Sequence, residues 1–179
     1  RLVHDGLTSH IGFTGMGDTE EVRAVIAGGR FDTVQSYFNA LNPSAGHAGA
    51  SGGSQDFEDL IGDAAHHGMG VIAIRVMAGG ALVGHEERVP NASPMGGAMV
   101  PGSGYRDDVS RARRLAGLAT ELGMENTMEM GVRFVLAKPG VSTALVGISN
   151  LDQLEDAIRW AERGPVATDA VERIVAMNS

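Results

Sequence analysis

The sequence contains no cysteine, which excludes disulfides, thiolate nucleophiles and Cys-based zinc sites. Lysine is nearly absent: Lys138 is the only one, and Tyr37 and Tyr105 are the only tyrosines. Basic residues are in deficit, with 14 Lys and Arg against 22 Asp and Glu and a net charge of -8. A surface of that sign disfavours nucleic acid and anionic membranes, both of which recruit basic patches. No apolar run approaches the roughly 20 residues of a membrane span. The opening Arg1-Leu-Val-His-Asp-Gly6 lacks the apolar stretch of a secretory signal. These absences read together as a soluble, cytoplasmic chain. The sequence also starts in mid-pattern and without methionine, as a fragment would.

What is present suffices for a core. Hydrophobic residues make up 43% of 179 residues, which argues against disorder and for one domain. Short apolar runs alternate with longer amphipathic stretches. Ser9–Thr14 reads as a strand, followed by an acidic helix start at Asp18-Thr-Glu-Glu21. Val22, Val25 and Ile26 continue that helix at helical spacing, and Gly28-Gly29 ends it. A second strand is expected over Phe31–Asn39. After a Gly/Ser-rich loop at 46–54, Phe57, Leu60, Ile61, Ala64 and Ala65 form the stripe of a helix stopped at Gly68. Val71–Val76 is nearly all apolar, as expected of a parallel strand buried on both faces. The segment 84–104, rich in Gly, Pro, Met and Ala, predicts a long flexible loop. Asp107 or Asp108 is expected to cap a helix running through Leu122. A further helix runs from Thr127 to near Pro139, then a fourth strand over Thr143–Val146. Asn150-x-x-Gln153 opens another helix, and Thr168–Met177 is a terminal one. Four strands alternating with helices imply right-handed crossovers and a parallel sheet. That sheet is either open or half of a (β/α)8 barrel, for which about 250 residues is typical.

Several motifs have ordinary explanations. Gly68-x-Gly70 precedes a strand, whereas a dinucleotide phosphate loop must follow one; Gly15-x-Gly17 lacks the third glycine. His66 and His67 are adjacent rather than four apart, so they suit a helix C-terminus better than a metal. His4, His10, His47 and His85 show no ligand spacing, and no metal site is expected. Three features resist such explanations. Gln35 interrupts an apolar strand, where an amide costs free energy unless it is hydrogen-bonded. Arg75 interrupts Val71-Ile-Ala-Ile-Arg-Val76. Val146-Gly-Ile-Ser-Asn150 joins a strand to a helix start, whose N–H groups favour an anion. All three lie where parallel strands end, the functional face of a barrel.

These residues fall within segments similar to the aldo-keto reductases. Ser9-His-Ile-Gly-Phe-Thr-Gly15 resembles that family's fifth strand, and Val34-Gln-Ser-Tyr-Phe-Asn-Ala-Leu-Asn42 its sixth. Gly70-Val-Ile-Ala-Ile-Arg-Val-Met-Ala-Gly-Gly-Ala-Leu82 resembles the seventh. Gly131-Val-Arg-Phe-Val-Leu-Ala-Lys-Pro-Gly-Val141 is close to the end of the seventh helix, and Val146-Gly-Ile-Ser-Asn-Leu-Asp-Gln-Leu-Glu-Asp156 to the clamp after the eighth strand. The motifs occur in family order over nearly the whole chain.

The resemblance implies an α/β fold, the C-terminal half of a TIM (β/α)8 barrel with four parallel strands. It implies an NADPH-dependent oxidoreductase that reduces aldehydes or ketones, or oxidises a sugar or alcohol, with this chain supplying most of the cofactor-binding half. The alternative is a non-catalytic nucleotide-binding subunit on the same fold. The family's Asp, Tyr, Lys and His set matches nothing here, so the chain alone is expected to be inactive. What matches is cofactor binding. Thr14 and Gln35 fall where the family holds the nicotinamide carboxamide. Met77 and Gly80 lie along the pyrophosphate. Gly147, Ile148, Ser149 and Gln153 form the clamp on the 2′-phosphate of NADP, and Asp156 lies near the adenine. Arg75 stands beside Ile74, where an aromatic is common, and its planar guanidinium can stack in its place. Gly147 and Gln153 replace basic clamp residues, so NADP is expected with only a modest preference and NAD is the second candidate. The open edges of a four-stranded unit are expected to self-associate.

Overall fold

The computed structural model describes residues 1–87 and 104–179. Most of the expected long loop, residues 88–103, lies outside the described residues. The strands are β1 (Gly12–Thr14), β2 (Thr33–Tyr37), β3 (Gly70–Ile74) and β4 (Val141–Ala144). The helices are α1 (Thr19–Ala27), α2 (Leu60–His66), α3 (Tyr105–Glu121), α4 (Thr127–Leu136), α5 (Leu151–Glu162) and α6 (Thr168–Ala176), with a short 3-10 segment at Ala78–Val83.

The strands pair in parallel in the order β1-β2-β3-β4. This order decides between the two architectures that the sequence leaves open. A doubly wound sheet reverses its strand order at a switch point. Here every crossover advances by one strand in one direction, which is the winding of a (β/α)8 barrel. The molecule has half of such a barrel, with β1 and β4 as the two edges of the sheet.

Burial alternates along the central strands. Val34, Ser36, Val71 and Ala73 are buried, whereas Thr33, Gln35, Gly70 and Ile72 stay half-buried. Val34, Val71 and Ala73 join Ile26, Leu60, Ile61, Ala64, Val132 and Val135 in one core between sheet and helices. The expectation that Val71–Val76 is buried on both faces is therefore corrected. Its outer face is covered, while its inner face would be filled only by strands across a closed barrel.

Local signals set the helix starts. The Asp18 carboxylate accepts from the Glu20 N–H at 3.0 Å, and the Asn126 side chain accepts from the Met128 and Glu129 N–H groups, both at 2.9 Å. Neither Asp107 nor Asp108 caps α3: Gly104 is the cap residue. Asp108 lies inside the helix, buried, and pairs with Arg111 at 3.4 Å. The first three strands are also shorter than the apolar runs suggest. β2 ends at Tyr37, because the buried Asn39 turns the chain by accepting from the Leu41 and Asn42 N–H groups at 2.9 Å each. β4 begins at Val141, two residues before the expected Thr143. A register shift lets Ser142 slip out of the ladder, where its hydroxyl accepts from the Val71 N–H at 3.1 Å.

Lys138 has a structural task. Its ammonium donates to the Gly46 carbonyl at 2.6 Å and to Asp59 at 3.0 Å, tying the end of α4 to the loop after β2. In the same loop His47 packs beside the paired rings of Phe38 and Phe134, with centroids 6.4 and 6.2 Å away. Among the described residues its Nε2 is buried without a hydrogen-bond partner. Burial, and then the charge of Lys138, hold its pKa below the ordinary 6.5, against a smaller opposing pull from Asp59. The other histidines are exposed.

A depressed folded-state pKa means that the unfolded chain binds the proton more readily. His47 therefore contributes stability fully above about pH 6.5, and that contribution falls away as the pH drops below it. Urea midpoints between about pH 5 and pH 7 should show this slope. His47→Leu should flatten it; an unchanged slope would assign the dependence to other groups.

Candidate functional site

In a parallel sheet, residues in register point to the same side. Thr14, Gln35, Ile72 and Thr143 form one such row across the four strands. Thr14 and Thr143 are exposed and Gln35 and Ile72 half-buried, so the row lies on the inner, open face of the half-barrel. Thr14 is the last residue of β1 and Gln35 the middle residue of β2. A hydroxyl and an amide thus stand side by side towards the carboxyl ends of the strands. Among the described residues nothing hydrogen-bonds the Gln35 side chain, so both halves of the amide remain available to a ligand.

Arg75 leaves the carboxyl end of β3 with a positive φ of 60°. That conformation is costly for a residue with a side chain and needs support from its surroundings. Asn39 supplies it: its amide donates to the Arg75 carbonyl at 3.1 Å, while its oxygen holds the turn after β2. Arg75 is exposed and makes no ion pair among the described residues. Asn39 is a positioning residue that the sequence reading missed. Its only sequence signal is an amide closing the apolar run Val34–Phe38.

Beyond Arg75 the chain enters the 3-10 segment. Met77 precedes it and packs, half-buried, against the core. Gly79 and Gly80 kink it, with φ of 65° and 98°, values that suit glycine. The Tyr105 hydroxyl is 3.8 Å from where a Gly80 side chain would begin, and it donates to the His85 carbonyl at 3.3 Å.

The fourth part is the segment from β4 to α5. Gly147 and Ile148 are exposed, and Ser149 and Gln153 are half-buried. The Asn150 side chain caps α5 by accepting from the Gln153 N–H at 2.9 Å. In return the Gln153 side-chain oxygen accepts from the Ser149 N–H at 2.8 Å. Asp156 pairs with Arg159, whose guanidinium also reaches Glu125 at 2.5 Å. The carboxylate expected near the adenine is therefore engaged along its own helix. Thr14, Gln35, Arg75 and the 145–150 turn share one end of the sheet, because parallel strands place all their carboxyl ends together. Among the described residues no cluster of His, Asp and Glu could hold a metal ion, and no helix is long and apolar enough to cross a membrane.

Comparison with solved structures gives the same architecture. The holo and apo forms of the aldo-keto reductase AKR11C1 from Bacillus halodurans superpose with TM-scores of 0.68 and 0.66, at 15% and 16% identity. Each match covers 99% of this chain but only 53% and 54% of the relative. The chain thus spans about half the length of these structures. A comparison with curated proteins finds no match. At such identities the structures establish the fold alone. The sequence model of the aldo/keto reductase family, however, matches residues 1–179 throughout. With strands wound as half of a (β/α)8 barrel and the family's motifs in order at their carboxyl ends, the chain belongs to the aldo/keto reductase family.

Proposed function

We propose that this chain forms the nucleotide-holding half of a cytoplasmic oxidoreductase that interconverts a small aldehyde or ketone with its alcohol, a sugar among the candidates. A bound nicotinamide dinucleotide, NADP or NAD, supplies the hydride for carbonyl reduction or accepts it in the reverse direction. The observation that carries this reading is the Thr14–Gln35 pair. An uncommitted amide with a hydroxyl in register beside it fits a primary carboxamide, which has one acceptor oxygen and two donor hydrogens. Gln35 and Thr14 would orient the nicotinamide ring by its carboxamide. The glycine kink at Gly79–Gly80 lets backbone approach the pyrophosphate, Met77 supplies an apolar wall, and Arg75 offers it charge. Ile148, Ser149, Gln153 and Asp156 would line the adenosine end.

Gln35→Ala should weaken dinucleotide binding by about 1–3 kcal/mol, since a carboxamide is left partly unpaired. Calorimetric titration of the variant against the parent protein checks this. Unchanged affinity would remove Gln35 from the site. The edges β1 and β4 are proposed to pair with a second four-stranded unit, another copy of this chain among the candidates. A non-catalytic nucleotide-binding role on the same fold is the second reading. It is favoured by one observation: Lys138 is committed to Gly46 and Asp59 and cannot serve at the mouth. Turnover of a carbonyl substrate by the assembled protein separates the two.

A further inference from the structure

We infer that this site selects the unphosphorylated dinucleotide, NAD(H), over NADP(H), and that Gln153 and Asn150 set the choice. The inference rests on the reading that a dinucleotide lies along the carboxyl ends of the strands with its adenosine at the start of α5.

A ribose 2′-phosphate carries close to two negative charges near neutral pH. A helix start can receive it only through unsatisfied N–H groups or nearby cations. Here one such donor, on Gln153, and the N–H of Ser149 just before the cap are already used. The Ser149 N–H is held by the Gln153 side-chain oxygen at 2.8 Å, and the Gln153 N–H by Asn150 at 2.9 Å. A phosphate that takes either N–H must displace a side-chain oxygen and forfeit part of the cap, which leaves it the Asn150, Leu151 and Asp152 N–H groups alone.

The side chains around the turn compound this. Gly147, Ile148 and Leu151 offer no polar side-chain group, and Asp152, Glu155 and Asp156 bring three carboxylates into the first two turns of α5. Arg159, the first cation on that helix, is bound by Asp156 and by Glu125 at 2.5 Å. Arg163 is bound by Glu125 at 2.5 Å and Glu129 at 3.0 Å. The cations of α5 are thus spent on its packing against the start of α4.

A ribose hydroxyl in place of the phosphate has neither difficulty. It is neutral, both donates and accepts, and meets an amide and carboxylates that can accept from it. Arg75 emerges from the neighbouring β3, two residues past the Ala73–Ala144 pair, and its charge acts on the pyrophosphate that both dinucleotides share.

The test titrates the protein with NADH and NADPH, following the fluorescence of the bound nicotinamide. NADH should bind at least about tenfold more tightly. Adenosine 2′,5′-bisphosphate should compete no better than adenosine 5′-monophosphate. Ser149→Arg, which adds a guanidinium at the turn, should reverse the ratio, and Gln153→Ala, which releases the Ser149 N–H, should narrow it. A merely structural role for Gln153 would weaken both nucleotides and leave their ratio unmoved. Arg75→Gln should weaken both by a common factor. Equal or tighter NADPH binding overturns the inference, as does an Arg75→Gln variant that loses affinity for NADPH alone. Failure to bind either nucleotide overturns the proposed function itself, and this inference with it.

Discussion

Purified as these 179 residues, the chain is expected to show no steady carbonyl turnover with either nicotinamide cofactor. Hydride arrival at a carbonyl carbon leaves negative charge on oxygen, and a positioned acid must meet it. General acid catalysis contributes about 10²–10⁴-fold, and a preorganised pocket for the developing charge a comparable factor. Among the described residues, the lone lysine, both tyrosines and the half-buried histidine are committed elsewhere. Lys138 is anchored to the Gly46 carbonyl and Asp59. Tyr37 is buried against Phe57, with ring centroids 5.8 Å apart. Tyr105 donates to the His85 carbonyl. His47 packs against two phenyl rings, and burial lowers its pKa. The chain spans about half the length of its structural relatives, and the missing groups are expected on the complementary strands. An N-terminal half supplied in trans should restore activity, whereas a second copy of this chain should cover the edges without doing so. Steady cofactor oxidation by the chain alone, at the rate of a whole enzyme, would mean that an acid among these residues has been overlooked.

Glu129→Ala is expected to destabilise the fold by about 3 kcal/mol, a typical cost of removing one partner from a buried ion pair. Glu129 is only 1% exposed. One carboxylate oxygen accepts from Arg133 at 2.8 Å; the other accepts from the Glu125 N–H at 2.7 Å and pairs with Arg163 at 3.0 Å. Burial alone would raise its pKa, but the Glu125 N–H, Arg163 and Arg133 together outweigh burial and hold it below the ordinary value. Glu125 binds Arg159, the Trp160 indole and Arg163, which lower its pKa to about 2. Both carboxylates are therefore more acidic folded than unfolded. Their contribution is complete above about pH 4.5 and lost as the pH falls through the folded values, so α4 and α5 should separate on acidification. Denaturant midpoints at neutral pH and near pH 3 check both statements. Glu129→Gln, which keeps an acceptor but loses the charge, should fall between parent and Ala. An Ala variant as stable as the parent at neutral pH would show that the network offers no more than the surface ion pairs elsewhere on the protein.

Much of the element order was legible in the sequence because its signals are short-range. Asp18 before an acidic turn, Asn150 three residues before Gln153 and glycine pairs after apolar stripes act within a few residues of the places they mark. Asp108 misled for the same reason. Beside Asp107 it looks like a cap, but it is buried and paired with Arg111, a partner that only the formed helix presents. Among the site residues, Gln35 and Arg75 stood out as polar interruptions of apolar runs. Asn39 did not, since its work is to hold Arg75 in a conformation that the sequence does not reveal.

By itself the sequence determined the class of fold, the alternation of strands and helices, the absence of thiol chemistry, and the polar positions at the strand ends. Periodicity, composition and caps are properties of neighbouring residues, so no folded partner is needed to read them. Only the tertiary structure decided that the strands wind in one direction, that Ser142 is extruded from β4, that the lone lysine is a strut, and that the α5 turn closes on its own donors. Each depends on groups distant along the chain. The Asn178 amide reaching the Ala40 carbonyl at 3.0 Å spans 138 residues, and no local pattern near either end records that they meet.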